Sequence, residues 1–136
     1  MEECIFCKIV SGKILCEKIY EDGNVISFLD IMPANKGHCL IVPKHHYETL
    51  LDAPEEMLSK MITATKKVAR ALSLSVGNGS YNLLMNNGKV AGQIVMHAHF
   101  HLVPRFDGDR LRLKWSHKKY ENDEIKDYAE KIRKFV

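Results

Sequence analysis

The feature that most restricts the fold of this chain is a run of alternating residues from Gly92 to Arg105, Gly-Gln-Ile-Val-Met-His-Ala-His-Phe-His-Leu-Val-Pro-Arg. His97, His99 and His101 recur at every second position, with Ala98, Phe100 and Leu102 interleaved. A period of two is that of a β-strand, so the pattern predicts a strand with three imidazoles on one face and apolar side chains on the other. A half-buried strand ordinarily carries Thr, Lys or Glu on its polar face, and imidazoles titrating near neutrality pack no better than these. Three together point to chemistry: a metal held with an open coordination position, or a nucleophile with its supporting groups.

Periodicity and turn chemistry supply the other elements. Lys18 to Glu21 and Val25 to Leu29 read as short strands, and Asp22-Gly23-Asn24 between them predicts a tight hairpin with positive backbone dihedrals. A loop containing Pro33 and Gly37 leads to the apolar run Cys39 to Val42, closed by Pro43. Glu55 to Leu74 is the clearest helix, since Met57, Leu58, Met61, Ile62, Thr65, Val68, Ala69 and Leu72 recur at three- and four-residue spacing. Asp52 with Glu55 resembles a capping box, and Pro54 suits the first turn. Tyr81 to Asn86 reads as a strand, the segment from Asn86 to Gly92 as a glycine-containing loop, and Glu124 to Phe135 as an amphipathic C-terminal helix. Strands gathered around one long helix and joined by short turns give an α+β class, with a mainly antiparallel sheet covered by that helix.

Composition enters as a bound. A chain of 136 residues, 46% of them apolar, is long enough to bury a core and short enough to form one domain, 1–136. A net charge of +3 does not demand nucleic acid as a partner. Arg105, Arg110, Arg112, Lys114, Lys118 and Lys119 form a local basic region that reads first as a solvated face and second as a phosphate contact. No run reaches the roughly 18 apolar residues of a membrane span, and Glu2 and Glu3 depart from the layout of a signal peptide, so a cytoplasmic protein without a membrane partner is expected. In that compartment Cys4-Ile-Phe-Cys7 suggests metal or redox work rather than a disulfide. The spacing lets both thiolates reach one tetrahedral ion, with His45 or His46 and His97 available as nitrogen ligands. Such a Cys₂His₂ site is closed to substrate, and its role would be structural.

Taken together, these segments resemble the histidine triad superfamily. His97-Ala-His99-Phe-His101-Leu-Val is similar to its His-x-His-x-His-x-x signature. Cys4-Ile-Phe-Cys7-Lys-Ile, Phe28-Leu-Asp30-Ile31, Gly37-His38, Val42-Pro43-Lys44-His45-His46, and Asn86-Asn87-Gly88 ahead of Gly92-Gln93 look like its other segments in their usual order. The likeness covers residues 4–105, leaves 106–136 uncovered, and lies nearest the zinc-containing type of the histidine triad nucleotide-binding branch.

The resemblance implies a purine nucleotide phosphoramidase or nucleotidyl hydrolase working at the α-phosphorus, on an AMP-like substrate. His99 would be the nucleophile that forms a nucleotidyl-imidazole, with His101 beside the phosphate and His97 in support or on the metal. A structural zinc would be held by Cys4, Cys7, His46 and His97. Asp30 would accept the ribose hydroxyls, and Ile5, Phe6, Ile9, Phe28 and Ile31 would wall the base. Asn86, Gly92 and Gln93 would contact the α-phosphate. Ile94 departs from the pattern, standing at a nucleotide-site position where many relatives carry Ser or Thr, which puts substrate preference in question. The alternatives carried forward are a dinucleoside polyphosphate hydrolase or phosphorylase, a nucleotide-binding interaction protein with weak activity, and a catalytic metal on the three histidines. Relatives form two-fold homodimers, so a homodimer is expected.

Overall fold

The computed structural model describes residues 3–136, leaving Met1 and Glu2 outside. A short helix α1 (Ile5–Val10) is followed by strands β1 (Lys18–Glu21), β2 (Val25–Leu29) and β3 (Cys39–Pro43), the long helix α2 (Glu55–Ser75), strands β4 (Tyr81–Leu84) and β5 (Phe100–Pro104), and helix α3 (Glu124–Arg133). The strands form one sheet in the order β1-β2-β3-β5-β4. Every neighbouring pair is antiparallel, as the α+β reading anticipates.

Alternation along β2, β3 and β5 divides the core in two. Val25, Cys39, Ile41 and Leu102 pack against Met61, Ala64, Val68, Ala69 and Leu72 of α2. Ile26, Phe28, Leu40 and Val42 face the other way and pack against Phe6 of α1. The histidines belong to this second face, so α2 supports the sheet from behind while α1 flanks the site. Ile62 falls outside the buried stripe, at 49% exposed.

Four local expectations are corrected. The hairpin turn uses no positive φ at Gly23 or Asn24. The Asp22 carboxylate holds it instead, accepting from the N–H groups of Asn24 at 2.7 Å and Val25 at 2.9 Å, an Asx turn that needs no left-handed residue. Asp52 does not cap α2; its carboxylate accepts from the backbone N–H and hydroxyl of Thr49. Pro54 takes the N-cap position, and its carbonyl accepts from Leu58 N–H at 3.0 Å. The expected strand Tyr81 to Asn86 ends at Leu84, and the expected helix to Phe135 ends at Arg133.

The fourth correction matters most. The ladder between β3 and β5 pairs only Cys39 with Leu102, Leu40 with His101 and Ile41 with Phe100, so His97 and His99 precede the strand rather than lie in it. The carbonyl of Pro43, which a longer ladder would use, accepts instead from Nε2–H of His97 at 2.8 Å. Ala98 N–H turns to the carbonyl of Tyr47 at 2.6 Å. Side-chain and loop bonds thus replace the ladder where the imidazoles are needed.

Candidate active site

Two clusters of ligand-type atoms occur among the described residues: Cys4, Cys7, His46 and His97, and Asp30, His38 and His101. Their hydrogen bonds give them different chemistries. Cys4 and Cys7 sit at the start of α1, one turn apart, with Cys7 N–H directed at the Cys4 sulfur at 3.4 Å. His46 follows β3, and His97 precedes β5. Nδ1 of His97 lies 3.4 Å from Cys4 Sγ, 3.6 Å from Cys7 Sγ and 3.1 Å from Nδ1 of His46, which is itself 3.4 Å from Cys7 Sγ. Because the Pro43 carbonyl fixes the His97 proton on Nε2, the Nδ1 lone pair points into the cluster. A tetrahedral ion with metal–sulfur bonds near 2.3 Å and metal–nitrogen bonds near 2.0–2.1 Å requires donor–donor edges of about 3.3–3.8 Å. The observed contacts fit that set to within a few tenths of an ångström, so this cluster can hold a metal ion. His45 is not one of the four, and its ring lies tilted against that of Tyr47 with centroids 4.7 Å apart.

In the second cluster the protons occupy the ligand positions. Ala34 N–H donates to Nδ1 of His38 at 3.1 Å, which leaves the His38 proton on Nε2. That Nε2–H meets Nδ1 of His101 at 2.9 Å, so His101 carries its own proton on Nε2. Ala34 N–H, His38 and His101 thus form a directed chain of hydrogen bonds that engages the ring nitrogens a metal would need. Asp30 borders it with Oδ2 3.8 Å from His38 Nε2, while its Oδ1 accepts from Met32 N–H at 2.9 Å. His38 follows Gly37, whose φ of +99° and approach to Pro104, 3.3 Å from where a Cβ would stand, require glycine.

His99 lies between the clusters. Its Nδ1–H donates to the main-chain carbonyl of His97 at 2.6 Å, leaving Nε2 unprotonated. Its ring meets that of Phe6 edge-on at 5.0 Å and that of His101 at 4.8 Å. Burial pushes the imidazolium form of His99 and of His38 below its ordinary range. For His101 burial, reinforced by His99 and His38, lowers it to about 4. Burial lowers His97 to about 4 as well, against a smaller opposing effect of the Pro43 bond. The triad is therefore neutral at pH 7, with one bare ring nitrogen on His99 and one N–H on His101.

The other expected residues divide. Phe6 and Phe28 are buried and meet edge-on at 5.6 Å, and Ile9 packs against their cluster. Ile5 is more open, and Ile31 and Ile94 are 90% and 91% exposed. Gly92 closes a 3₁₀ turn at Lys89–Ala91 with φ of +94°, and the Asn86 amide comes within 3.7 Å of where its Cβ would stand. Gln93 is buried with its amide fully engaged: Oε1 accepts from Gly88 N–H at 2.8 Å, and Nε2 donates to the carbonyls of Glu48 and Val95. Its own N–H reaches Gly88 O. Gln93 shapes the loop and has no donor left for a phosphate.

Two roles escape sequence reasoning. His38 is present in the Gly37-His38 segment, but its contact with His101, 63 positions away, has no local signature. Arg105, grouped above with the basic region, is instead tied to Asp109 by Nε at 2.8 Å and Nη2 at 3.1 Å, to Asn82 Oδ1 and to Leu111 O. Arg105 and the N–H groups of Phe106 and Leu111 hold the Asp109 carboxyl well below the usual carboxylate range. The node also takes in Asn35 and anchors the C-terminal segment where it leaves β5.

Comparison with known proteins agrees with this geometry. The adenosine 5'-monophosphoramidase HNT1 of Candida albicans is 39% identical over 135 residues, covering 96% of this chain and 89% of its own. The crystal structure of SMU.412c from Streptococcus mutans UA159 superposes with a TM-score of 0.92 at 39% identity, covering 98% of this chain and 85% of that one. A Zn-bound histidine triad family protein from Mycobacterium smegmatis superposes with a TM-score of 0.78 at 39% identity, covering 86% and 85%. The HIT domain matches residues 11–108, which span β1 through β5 with His38 and the triad, and the chain therefore belongs to the HIT domain family.

Proposed function

We propose that the protein is a purine nucleotide phosphoramidase that cleaves at the α-phosphorus through a covalent nucleotidyl-histidine on His99. The observation that carries this reading is the 2.6 Å bond from Nδ1–H of His99 to His97 O, which fixes the neutral tautomer with Nε2 free for in-line attack. As the Nε2–phosphorus bond forms, the phosphorus–nitrogen bond breaks and its electron pair leaves on the amine. His101, held by His38 in the tautomer with its N–H on Nε2, donates a hydrogen bond at the breaking bond, and the departing amine takes its proton from water. Water then cleaves the nucleotidyl-imidazole, releasing the mononucleotide and a proton that balances the one taken by the amine, and His99 is again neutral. The relationship to the adenosine 5'-monophosphoramidase of Candida albicans supports the substrate class.

The reading extends to the surroundings of the triad. Asp30, close to the His38–His101 pair, is the carboxylate for the ribose hydroxyls, and Asn86 with the backbone around Gly92 serves the phosphate. The ion at Cys4, Cys7, His46 and His97 is zinc, supported by the donor spacing and by the Zn-bound relative. When bound it supplies structural cross-linking of α1 to the segment that carries the nucleophile. The protein acts as a homodimer in the cytoplasm. Unpaired edges at β1 and β4 and the exposed apolar face of α3 support the dimer, and the free thiols suit a reducing compartment.

The test is turnover of adenosine 5'-phosphoramidate by the wild type and by His99→Asn. A loss of about a thousandfold or more is expected, with saturable AMP binding retained. Mass spectrometry of quenched wild-type reactions is expected to find one adenylyl group on His99. Retained turnover in the variant rejects the mechanism.

A further inference from the structure

The bond between Nε2 of His38 and Nδ1 of His101, 2.9 Å long, joins two neutral imidazoles and can run in either direction without moving a ring atom. The sheet register brings the rings together, since Leu40 opposes His101 and His38, two residues earlier, lies diagonally across on the same face. Register does not choose the direction. With the shared proton on His38 Nε2, His101 keeps an N–H at its own Nε2. With that proton on His101 Nδ1, the His101 Nε2 is bare and His38 carries its N–H at Nδ1. The choice falls to whatever faces His38 Nδ1, and that is Ala34 N–H at 3.1 Å. A backbone N–H can only donate, so it excludes the second state for as long as it stays in place.

What keeps it in place is the side chain that follows. Of residues 31–36, Asn35 alone is half-buried and the others are exposed. Backbone bonds tie this loop only to itself: Asp30 N–H reaches His38 O at 2.9 Å, and His38 N–H reaches Asn35 O at 3.0 Å. Asn35 Nδ2 docks it on the rest of the molecule. Its two protons go to Pro104 O, three residues beyond His101 on β5, and to Asp109 Oδ2, each at 2.9 Å. Asp109 is in turn fixed, because Arg105 Nε and Phe106 N–H share its Oδ2 while Arg105 Nη2 and Leu111 N–H share its Oδ1. Five donors on one carboxylate, 8% exposed, engage both of its oxygens and leave it no freedom to turn.

We propose that Asn35, braced by Asp109, is a positioning residue for the phosphoramidase reaction: it holds Ala34 N–H against His38, so that His101 presents an N–H and not a bare nitrogen to the reacting phosphate. The inference rests on the nucleotidyl-transfer reading above and adds two residues that act only through His38. Neither makes or breaks a covalent bond. Once Asn35 is removed, Ala34 is free to leave His38 and the reversed direction opens. In that state the bare His101 nitrogen repels the phosphate oxygens that its N–H would bind.

The test reads activity, stability and ring protonation in Asn35→Ala and Asp109→Asn. Asn35→Ala loses the bonds to both Pro104 and Asp109, whereas Asp109→Asn disrupts the acceptor of five donors but leaves Asn35 on Pro104. The two losses are therefore expected in opposite orders. Asn35→Ala lowers kcat on adenosine 5'-phosphoramidate at least about fivefold with KM unchanged within about twofold, and Asp109→Asn lowers it less. Urea unfolding finds Asp109→Asn the less stable of the two. Nitrogen NMR of the histidine rings is expected to show His101 protonated on Nε2 in the wild type, and a population with the proton on Nδ1 in Asn35→Ala. A node with a merely structural role puts both losses in the same order and leaves the wild-type protonation in place, and either result overturns the proposal. In a double-mutant cycle Asn35→Ala is expected to add nothing to the kcat loss of His38→Ala, and additive losses overturn it as well. Asn35→Ser takes the place of Asn35→Ala in each comparison if the alanine variant does not fold. A wild type that does not cleave adenosine 5'-phosphoramidate overturns the triad mechanism, and the NMR comparison then decides the role of Asn35 by itself.

Discussion

At the scale of single residues, tautomers decide what each imidazole does. His97 donates from Nε2 and faces the metal cluster with Nδ1, His99 donates from Nδ1 and keeps Nε2 bare, and His38 passes the orientation of one backbone N–H on to His101. His38→Ala is therefore expected to lower kcat on adenosine 5'-phosphoramidate by at least about tenfold with little change in KM. His38→Gln, which keeps a donor near the same position, recovers part of that loss. Equal losses in the two variants count against an orienting role. The His101 imidazolium, lowered to about 4, makes a pH prediction. Between that value and the unfolded value near 6.5 the unfolded chain binds more protons than the folded one. Stability therefore rises with pH across this window, and this residue's contribution is fully present above it. Urea unfolding at a series of pH values is expected to show a shallower slope in His101→Gln than in the wild type.

At the scale of elements, the sheet works as a partition. Met61 of α2 is fully buried against one face, and Met61→Ala is expected to cost about 2–5 kcal/mol through lost burial and the cavity left behind. Ser27 of β2 is also fully buried, and its hydroxyl has no hydrogen-bond partner. Ser27→Ala is accordingly expected to be neutral or stabilising by up to about 1 kcal/mol. Chemical denaturation of both variants checks the pair, and a destabilised Ser27→Ala would mean that the hydroxyl has a partner, such as an ordered water. Helix α3 contributes nothing comparable, since none of its residues is buried. Its apolar residues Ile125, Tyr128 and Ile132 are exposed, and sedimentation velocity is expected to find the proposed homodimer.

At the scale of the whole molecule, the metal cluster joins the first helix to the approach to the last strand, across 93 positions between Cys4 and His97. Zinc that binds the folded chain alone adds stability as its concentration rises, about 4 kcal/mol at a thousand times its Kd. Melting temperature is therefore expected to rise with added zinc in the wild type and to stay level in His46→Ala. Because the same residue, His97, also provides the carbonyl that holds His99, removing zinc is expected to lower kcat as well as stability. A melting temperature insensitive to zinc in the wild type rejects the metal assignment.

The sequence by itself determined what is local. The short apolar runs Val25–Leu29 and Cys39–Val42 and the helical stripe from Met57 to Leu72 specified the elements, and for the helix its buried face, because side-chain periodicity follows directly from backbone geometry. The triad was legible because its three imidazoles share one short segment, and the Cys-x-x-Cys pair because both thiols share one helical turn. The tertiary structure decided the rest. Ring tautomers depend on carbonyls supplied by distant residues, the ladder at His97 is interrupted by Pro43 from another strand, and Gln93 is occupied by Glu48 and Val95. The pairing of Leu84 with His101 exists only once β4 and β5 have come together in the sheet. Hydrogen bonds between residues far apart in the chain leave no periodic trace, and those bonds set which ring nitrogen of each histidine carries its proton and which is left free.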